Sequence, residues 1–384
     1  MKVLEAAIPQ NHNRYFADLC DALSERCSLL HDHEVFWDAR GDFDIVHIHW
    51  PEYLSYQIER GVVGGTIDAD LLCELKEKLE AWKNKSVVVV TRHNVYPHCN
   101  ANGSADELYR TVYKHADAVI HMGGYSQREY SERYLEEKFL ANQVQALIPH
   151  PNYASFPNQV SRKDARSRLG LRNRTKVVLA FGAFKSDDES RLVMDAFQRL
   201  GGIDKVLIAP GWREKLPDIK WIRLRNYVRD LNRLYRTIHP QYRFGGQFIP
   251  DEDVQYYLNS ADVFMIQRWS PLNSGNLVLG FTFANIVVGP DAGNVGEILR
   301  ATGNPVFEPG NAASAAEALK KALRNSKSEL GEANRQFALQ HWNLRDIARQ
   351  HTDLFQELCD RKNSEVKAKA GAAKTSQCRA GDVK

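Results

Sequence analysis

The sequence has no apolar run longer than a strand. Its longest, around 86–91 and 285–290, fall far short of the roughly 20 residues a membrane-spanning helix needs, so no segment is expected to cross a bilayer. Cysteine is sparse as well. The six (Cys20, Cys27, Cys73, Cys99, Cys359 and Cys378) form no C-x-x-C pair and no zinc spacing, which excludes a disulfide-stapled or zinc-finger scaffold. The opening Met1-Lys2-Val3-Leu4-Glu5 carries an acidic residue and too short an apolar stretch for a signal peptide, so the expected compartment is reducing and cytoplasmic. Two glycine signatures are also missing. Pro9-Gln10-Asn11-His12-Asn13 stands where a dinucleotide fold would place G-x-G-x-x-G, and no G-x-x-x-x-G-K-[ST] occurs, which argues against a hydride-transferring Rossmann enzyme and a P-loop triphosphatase.

A dominant charge is lacking too, with 51 basic residues against 48 acidic ones, but the balance is uneven along the chain. Residues 1–160 carry a net −8, residues 161–360 a net +6, and residues 361–384 a net +5. The excess of cations in the second half suits an anionic ligand there. Basic residues are not interleaved with aromatics in a stripe, so no nucleic-acid partner is expected. The basic tail allows at most a weak, peripheral membrane contact.

What is present is a globular composition, 43% hydrophobic and 26% charged, over a length that suits two domains. Short β-branched runs alternate with helical stretches, the pattern of parallel sheets covered by helices. Runs at 2–8, 45–49, 87–91, 118–122 and 144–148 read as strands of one doubly wound domain, residues 1–152. Proline and polar residues mark a linker at 153–174, with a short helix near 164–169. Strands at 176–182, 205–209, 221–224, 263–267, 286–289 and 305–307 make a second doubly wound domain, residues 175–342. The helices near 312–324, 328–341 and 344–359 are expected to close it, the last as a C-terminal helix over 343–360. Residues 361–384 offer almost nothing to bury and read as a disordered basic tail. The fold class is α/β, two Rossmann-like domains.

In open α/β sheets ligands gather beyond the carboxyl ends of the strands. There the first half places Asn13, then His47-Ile48-His49-Trp50-Pro51-Glu52, then Arg92-His93-Asn94 with His98 shortly after. Strand alternation puts His47 and His49 on one face. The linker entry adds His150 and Tyr153, beside Pro149 and Pro151, which read as a rigid hinge. In the second half Gly182 follows a strand and Lys185 lies just beyond, a place where a backbone approaches a ligand closely and a cation meets a phosphate. Ser274-Gly275-Asn276 opens an apolar helix, leaving N–H groups and the positive dipole end for an anion. The acidic triplets at 42–44, 68–70 and 251–253 precede a strand or start helices, so they are not read as a metal-binding D-x-D.

Several motifs together resemble GT-B fold glycosyltransferases of the group-1, family-4-like bacterial polysaccharide type. They are Gln247 through Val254, Ser260-Ala261-Asp262, Asn273-Ser274-Gly275-Asn276, Val287 through Gly293 and Gly296-Glu297 in the second half. Asp44 through Glu52, Thr91-Arg92-His93-Asn94, Ala116-Asp117-Ala118 and Ile148 through Tyr153 continue the likeness in the first, so that it covers about residues 1–355. The resemblance implies transfer of a sugar from a UDP- or GDP-sugar to a saccharide or lipid-linked saccharide acceptor. The donor is then a substrate and no cofactor or metal is implied, because a helix dipole and basic side chains stabilise the leaving diphosphate. It implies donor binding by Gly182, Lys185, Ser274, Gly275, Asn276 and Glu297. Catalysis falls to His93 or Glu52, and Asn13, His49, Arg92, Asn94, His98 and His150 line the cleft or acceptor side. The family's Glu-x7-Glu pair is absent: Pro271 and Leu279 occupy those positions, and Asp188 stands where a second phosphate-binding lysine is usual. A GT-B epimerase or hydrolase, and a non-catalytic nucleotide-sugar-binding homologue, are the alternatives.

Overall fold

The computed structural model describes the chain except residues 11–12, 97–102, 203, 213–238, 247, 327–328 and 382–384, and the side chains of 366 and 369–381. His98 and the strand expected at 221–224 lie outside the described residues. The chain divides into two units, Met1–Pro149 with Leu344–Lys384, and His150–Asn343.

The first unit is built on a parallel sheet of β1 (Lys2–Glu5), β2 (Ser28–His31), β3 (Ile45–Ile48), β4 (Val87–Arg92), β5 (Ala118–His121) and β6 (Val144–Leu147), in the order β2-β1-β3-β4-β5-β6. Every residue of β3, β4 and β5 is buried, which is why Val87 through Val90 and Ala118 through Ile120 read as continuous apolar stretches instead of alternating ones. The helix Ala69–Lys85 lays Leu75, Leu79 and Trp82 against Val46 and Val88, and the Trp82 indole donates to the Phe36 carbonyl at 2.9 Å. Strand order reverses between β1 and β3, so the crevice of this sheet opens beyond their carboxyl ends.

The second unit repeats the scheme with β7 (Lys176–Leu179), β8 (Lys205–Ala209), β9 (Tyr242–Phe244), β10 (Val263–Met265), β11 (Val287–Pro290) and β12 (Val306–Phe307), ordered β12-β11-β10-β7-β8-β9. Here the reversal lies between β7 and β10. The helix in the linker spans Arg162–Arg168 and is locked to the start of this sheet by Arg166. That side chain is 1% exposed, pairs with Asp262 at 2.8 Å and donates to the carbonyls of Ser260, Arg172 and Asn173.

Two strands escape the sequence reading. Both β2 and β9 are edge strands, β2 alternating between exposed and half-buried residues and β9 half-buried throughout, so neither shows a hydrophobic run. The last helix also departs from expectation. It starts at Leu344 and belongs to the first unit instead of closing the second. Its buried residues Ile347, Ala348, His351, Leu354, Phe355 and Leu358 recur at helical spacing, and Lys362 Nζ donates to the carbonyls of Lys83 and Ser86, each at 2.6 Å. The helix continues to Gly381, into the stretch 361–384 read as a tail. Beyond Lys362 the described residues Glu365, Lys367 and Ala368 are exposed, as expected of a stretch with little to bury.

Candidate functional site

The carboxyl ends of β1, β3 and β4 bring together a chain of buried polar side chains. Parallel pairing sets Glu5 opposite His47. Glu5 Oε1 meets His47 Nδ1 at 2.9 Å, His47 Nε2 meets Thr91 Oγ1 at 2.8 Å, and Glu5 Oε2 faces His49 Nε2 at 3.3 Å. On the far side of His49, Nδ1 lies 3.0 Å from His93 Nε2. Glu5, His47 and His49 are at most 2% exposed, whereas His93 is half-buried. The His93 ring stacks on Trp50 with centroids 4.3 Å apart and takes Tyr15 edge-on at 5.1 Å.

Among the described residues Glu5, His47 and His49 hold metal-type ligand atoms within 4.8 Å of one another. Both ring nitrogens of His47 are engaged by Glu5 and Thr91, so the geometry is that of a hydrogen-bonded network. Burial by itself would raise the Glu5 carboxyl, but the His47 and His49 imidazoles outweigh it and hold the group well below the usual carboxylate range. Burial, with His47 adding to it, lowers His49 to about 4 against the opposing pull of Glu5, so His49 is neutral near pH 7.

The other residues singled out in the first half take varied places. Asn13 caps the helix Arg14–Ser24 by accepting from the Phe16 N–H. Arg92 is 1% exposed, donates to the Ser126 carbonyl, pairs with Glu129 and lies over the Tyr130 ring, which makes it a clamp on the helix Gly124–Arg133. Asn94 is buried just past β4. Glu52 is 6% exposed and accepts from the Tyr109 hydroxyl at 2.8 Å. Glu5 was missed by the sequence reading, although a carboxylate inside the apolar run Val3-Leu4-Glu5-Ala6-Ala7-Ile8 is a visible anomaly.

In the second unit the ends of β7 and β10 converge. Gly182 has φ +84°, and a side chain there would meet Asn276, whose Nδ2 donates to the Phe181 carbonyl at 2.8 Å. Gly182 and Asn276, far apart in sequence, thus form one contact. Ser274 sits at the start of the helix Gly275–Thr282 without capping it through its side chain, although its carbonyl accepts from the Leu277 N–H at 3.1 Å. A Cβ at Gly275 would lie 2.8 Å from the Tyr153 hydroxyl, which itself stands 3.5 Å from His150 Nε2. The loop is seated from behind by Gly293 at φ +60°, where any Cβ would collide with the Pro271 carbonyl, and by Asn294 Nδ2 on Asn273 Oδ1 at 2.7 Å.

Lys185 is exposed, and its backbone N–H donates to Glu189, which in turn pairs with Arg268 at 2.6 Å. Glu297 is half-buried on the helix Gly293–Ala301. Leu279 is 6% exposed and packs into the apolar core, while Asp188 pairs with Arg191 at 2.7 Å on the surface.

Four histidines link this architecture to pH. Burial lowers His49, His121 and His150 each to about 4 and His351 to about 3. Each is depressed in the folded state, so the unfolded chain takes up protons first as pH falls below about 6.5. The stability tied to these groups is whole above that value and is lost between about pH 6.5 and 4, each tenfold weakening of proton affinity on folding being worth roughly 1.4 kcal/mol. Urea midpoints are therefore expected to drop steadily from pH 7 to pH 5; a flat profile would mean that these histidines protonate without unfolding the chain.

No protein-family model matches the chain, and no curated protein matches it in sequence. Solved structures do match in fold. Anabaena HepE in complex with UDP-glucose is 12% identical with a TM-score of 0.64, covering 93% of this chain and 100% of that one. Sucrose-phosphate synthase from Thermosynechococcus elongatus is 15% identical with a TM-score of 0.62, covering 93% and 98%. An α,α-trehalose-phosphate synthase from Burkholderia xenovorans in complex with glucose-6-phosphate is 12% identical with a TM-score of 0.58, covering 92% and 99%. With its two parallel six-stranded sheets, each in a Rossmann-like unit, the chain has the GT-B fold.

Proposed function

We infer that this chain is a metal-independent glycosyltransferase that takes a sugar from a UDP- or GDP-sugar and passes it to a saccharide or lipid-linked saccharide in glycan assembly. The observation that carries the reading is the junction of Gly182 and Asn276 beside the uncapped helix start at Ser274-Gly275. Two chain segments approach at a strand-order reversal beside a helix N-terminus that has no side-chain cap, the arrangement a diphosphate needs. Lys185 and the positive balance of residues 161–360 add charge of the right sign. The likeness in fold to HepE, solved with UDP-glucose, favours a uridine nucleotide.

The first unit would then serve the acceptor, with His93 as the better of the two catalytic candidates. It is half-exposed and held by its neighbours, whereas Glu52 is buried against Tyr109. No helix among the described residues is long and apolar enough to cross a membrane. A lipid-linked acceptor would be met at the inner face of a membrane, in the cytoplasm, where the sequence reading places the protein. Leu279, buried where the family has a ribose-binding carboxylate, favours a second reading in which the chain binds a nucleotide sugar without transferring it.

One experiment separates the two. Thermal unfolding of the protein with UDP, GDP and their glucose, galactose and mannose conjugates is expected to show a clear upward shift for one nucleotide, about 2.7 kcal/mol of stabilisation at a hundredfold excess over Kd. Release of that nucleotide from its sugar in the presence of an oligosaccharide or polyprenyl-linked acceptor marks transfer. A shift without turnover marks the binding reading, and no shift with any donor overturns both.

A further inference from the structure

Three of the four side chains in the row Thr91, His47, Glu5 and His49 are ionisable, buried and remote from any ligand that reaches only the half-exposed His93. A structural core has little use for such a row. Burying a carboxylate and two imidazoles in one place is unfavourable unless their geometry is fixed by mutual hydrogen bonds. What the row does is end on His93.

We propose that Glu5 and His49 are positioning residues for His93, forming a buried relay Glu5···His49···His93 that sets which nitrogen of the His93 ring carries its proton and which presents a basic lone pair. The argument is one of donors and acceptors. An ionised carboxylate only accepts, so the imidazole atom that faces Glu5 Oε2, which is His49 Nε2, carries a proton. Neither of these two buried atoms makes a hydrogen bond of ordinary geometry with any described residue, so the 3.3 Å ion-pair contact between them is the interaction that offsets their burial. A neutral His49 protonated at Nε2 has its lone pair on Nδ1. The 3.0 Å contact from His49 Nδ1 to His93 Nε2 is then possible only if His93 donates, which puts the His93 proton on Nε2 and leaves Nδ1 as the basic atom of that ring.

Stacking cannot make this selection. Trp50, at 26° to the His93 ring, and Tyr15, edge-on at 82°, fix the plane of the imidazole, but a half-turn about its axis would leave both contacts in place and exchange the nitrogens. Only a directional hydrogen bond distinguishes the two orientations. His47 buttresses the other carboxylate oxygen, bonded to Glu5 on one side and to Thr91 on the other, so Glu5 is held from both ends. His351, from the last helix, closes the row from behind with its ring 5.8 Å from that of His47.

The inference deepens the proposed function, since His93 needs a fixed basic nitrogen only if it handles a proton or a hydroxyl of a substrate, but its test is independent of activity. Long-range proton–nitrogen correlation spectra of the full chain labelled with 15N-histidine distinguish the two tautomers of each of the 13 histidines, and a His93→Gln sample assigns the one of interest. The wild type is expected to show His93 protonated at Nε2. His49→Phe, which keeps a ring but offers no acceptor, is expected to give a mixture of His93 tautomers and to lower kcat by about 100-fold with the donor KM unchanged. His49→Asn, which returns an amide oxygen near the place of Nδ1, is expected to restore most of both. If His49→Phe does not fold, Glu5→Gln serves instead, because an amide donates as well as accepts and releases the lock on the His49 tautomer. A wild-type His93 protonated at Nδ1, or a tautomer unmoved in His49→Phe and Glu5→Gln alike, overturns the relay. Absence of transfer in the wild type with every donor overturns the proposed function while the spectra still decide the relay.

Discussion

Replacing His93 by alanine is expected to lower sugar transfer by about 10²–10⁴-fold, the usual contribution of a positioned acid–base or substrate-orienting side chain. Nucleotide binding should hold within about twofold, because the groups assigned to the diphosphate all lie in the second unit. The variant is expected to fold. His93 is half-buried, its stacking partner Trp50 is itself only 8% exposed and supported by Phe16 and Tyr53, and its hydrogen bond is replaceable by water at that partly open position. Calorimetric titration with UDP beside a radiolabelled-sugar transfer assay checks both halves. Loss of binding along with transfer would move His93 from the acceptor side to the donor, and full activity would remove it from the site.

The second large effect concerns stability. Glu5→Ala is expected to destabilise the first unit by about 3–5 kcal/mol, because it deprives His47 Nδ1 and His49 Nε2 of their acceptor at one stroke, each buried orphan costing about 1–3 kcal/mol, and leaves a cavity besides. Against a total of about 5–15 kcal/mol for an ordinary domain, that is a large share. Glu5→Gln retains one acceptor and the shape, so its loss is expected to be less than half as great. The sign with pH follows from the depressed carboxyl of Glu5: its contribution is whole above the ordinary carboxylate range of about 4.3 and fades only as pH falls below it. Urea unfolding of wild type, Glu5→Gln and Glu5→Ala at pH 7.5 orders the three. Equal midpoints for Glu5→Ala and wild type would mean that water replaces the carboxylate.

What the amino-acid sequence reveals differs from element to element. The central strands were legible because burial on both faces forces unbroken runs such as Val87-Val88-Val89-Val90, and the edge strands β2 and β9 were not, since an edge can be half polar. His47 and His49 were legible as a pair because a strand repeats every two residues, and their rings do lie 4.2 Å apart. The helix start at Ser274-Gly275 was legible from local residue types alone.

Long-range neighbours decided the rest. Glu5 is one acidic residue in an apolar strand until the β1–β3 register sets it opposite His47, 42 positions on. Arg92 belongs by sequence to the motif around His93, but side chains in a strand alternate, and its guanidinium turns to the helix at Ser126 and Glu129 while His93 turns to His49. Glu52 has the chemistry of a base, and only the packing of Tyr109 against it reveals a buried carboxylate. The last helix reads as the natural close of the domain it follows in sequence, yet its apolar stripe is buried on the first unit. The sequence by itself determined the two Rossmann-like sheets and the residue types at their carboxyl ends, because periodicity and turn chemistry act over a few residues. Which of those residues meet, and which nitrogen of which histidine faces a carboxylate, was decided by register and packing between segments dozens to hundreds of residues apart.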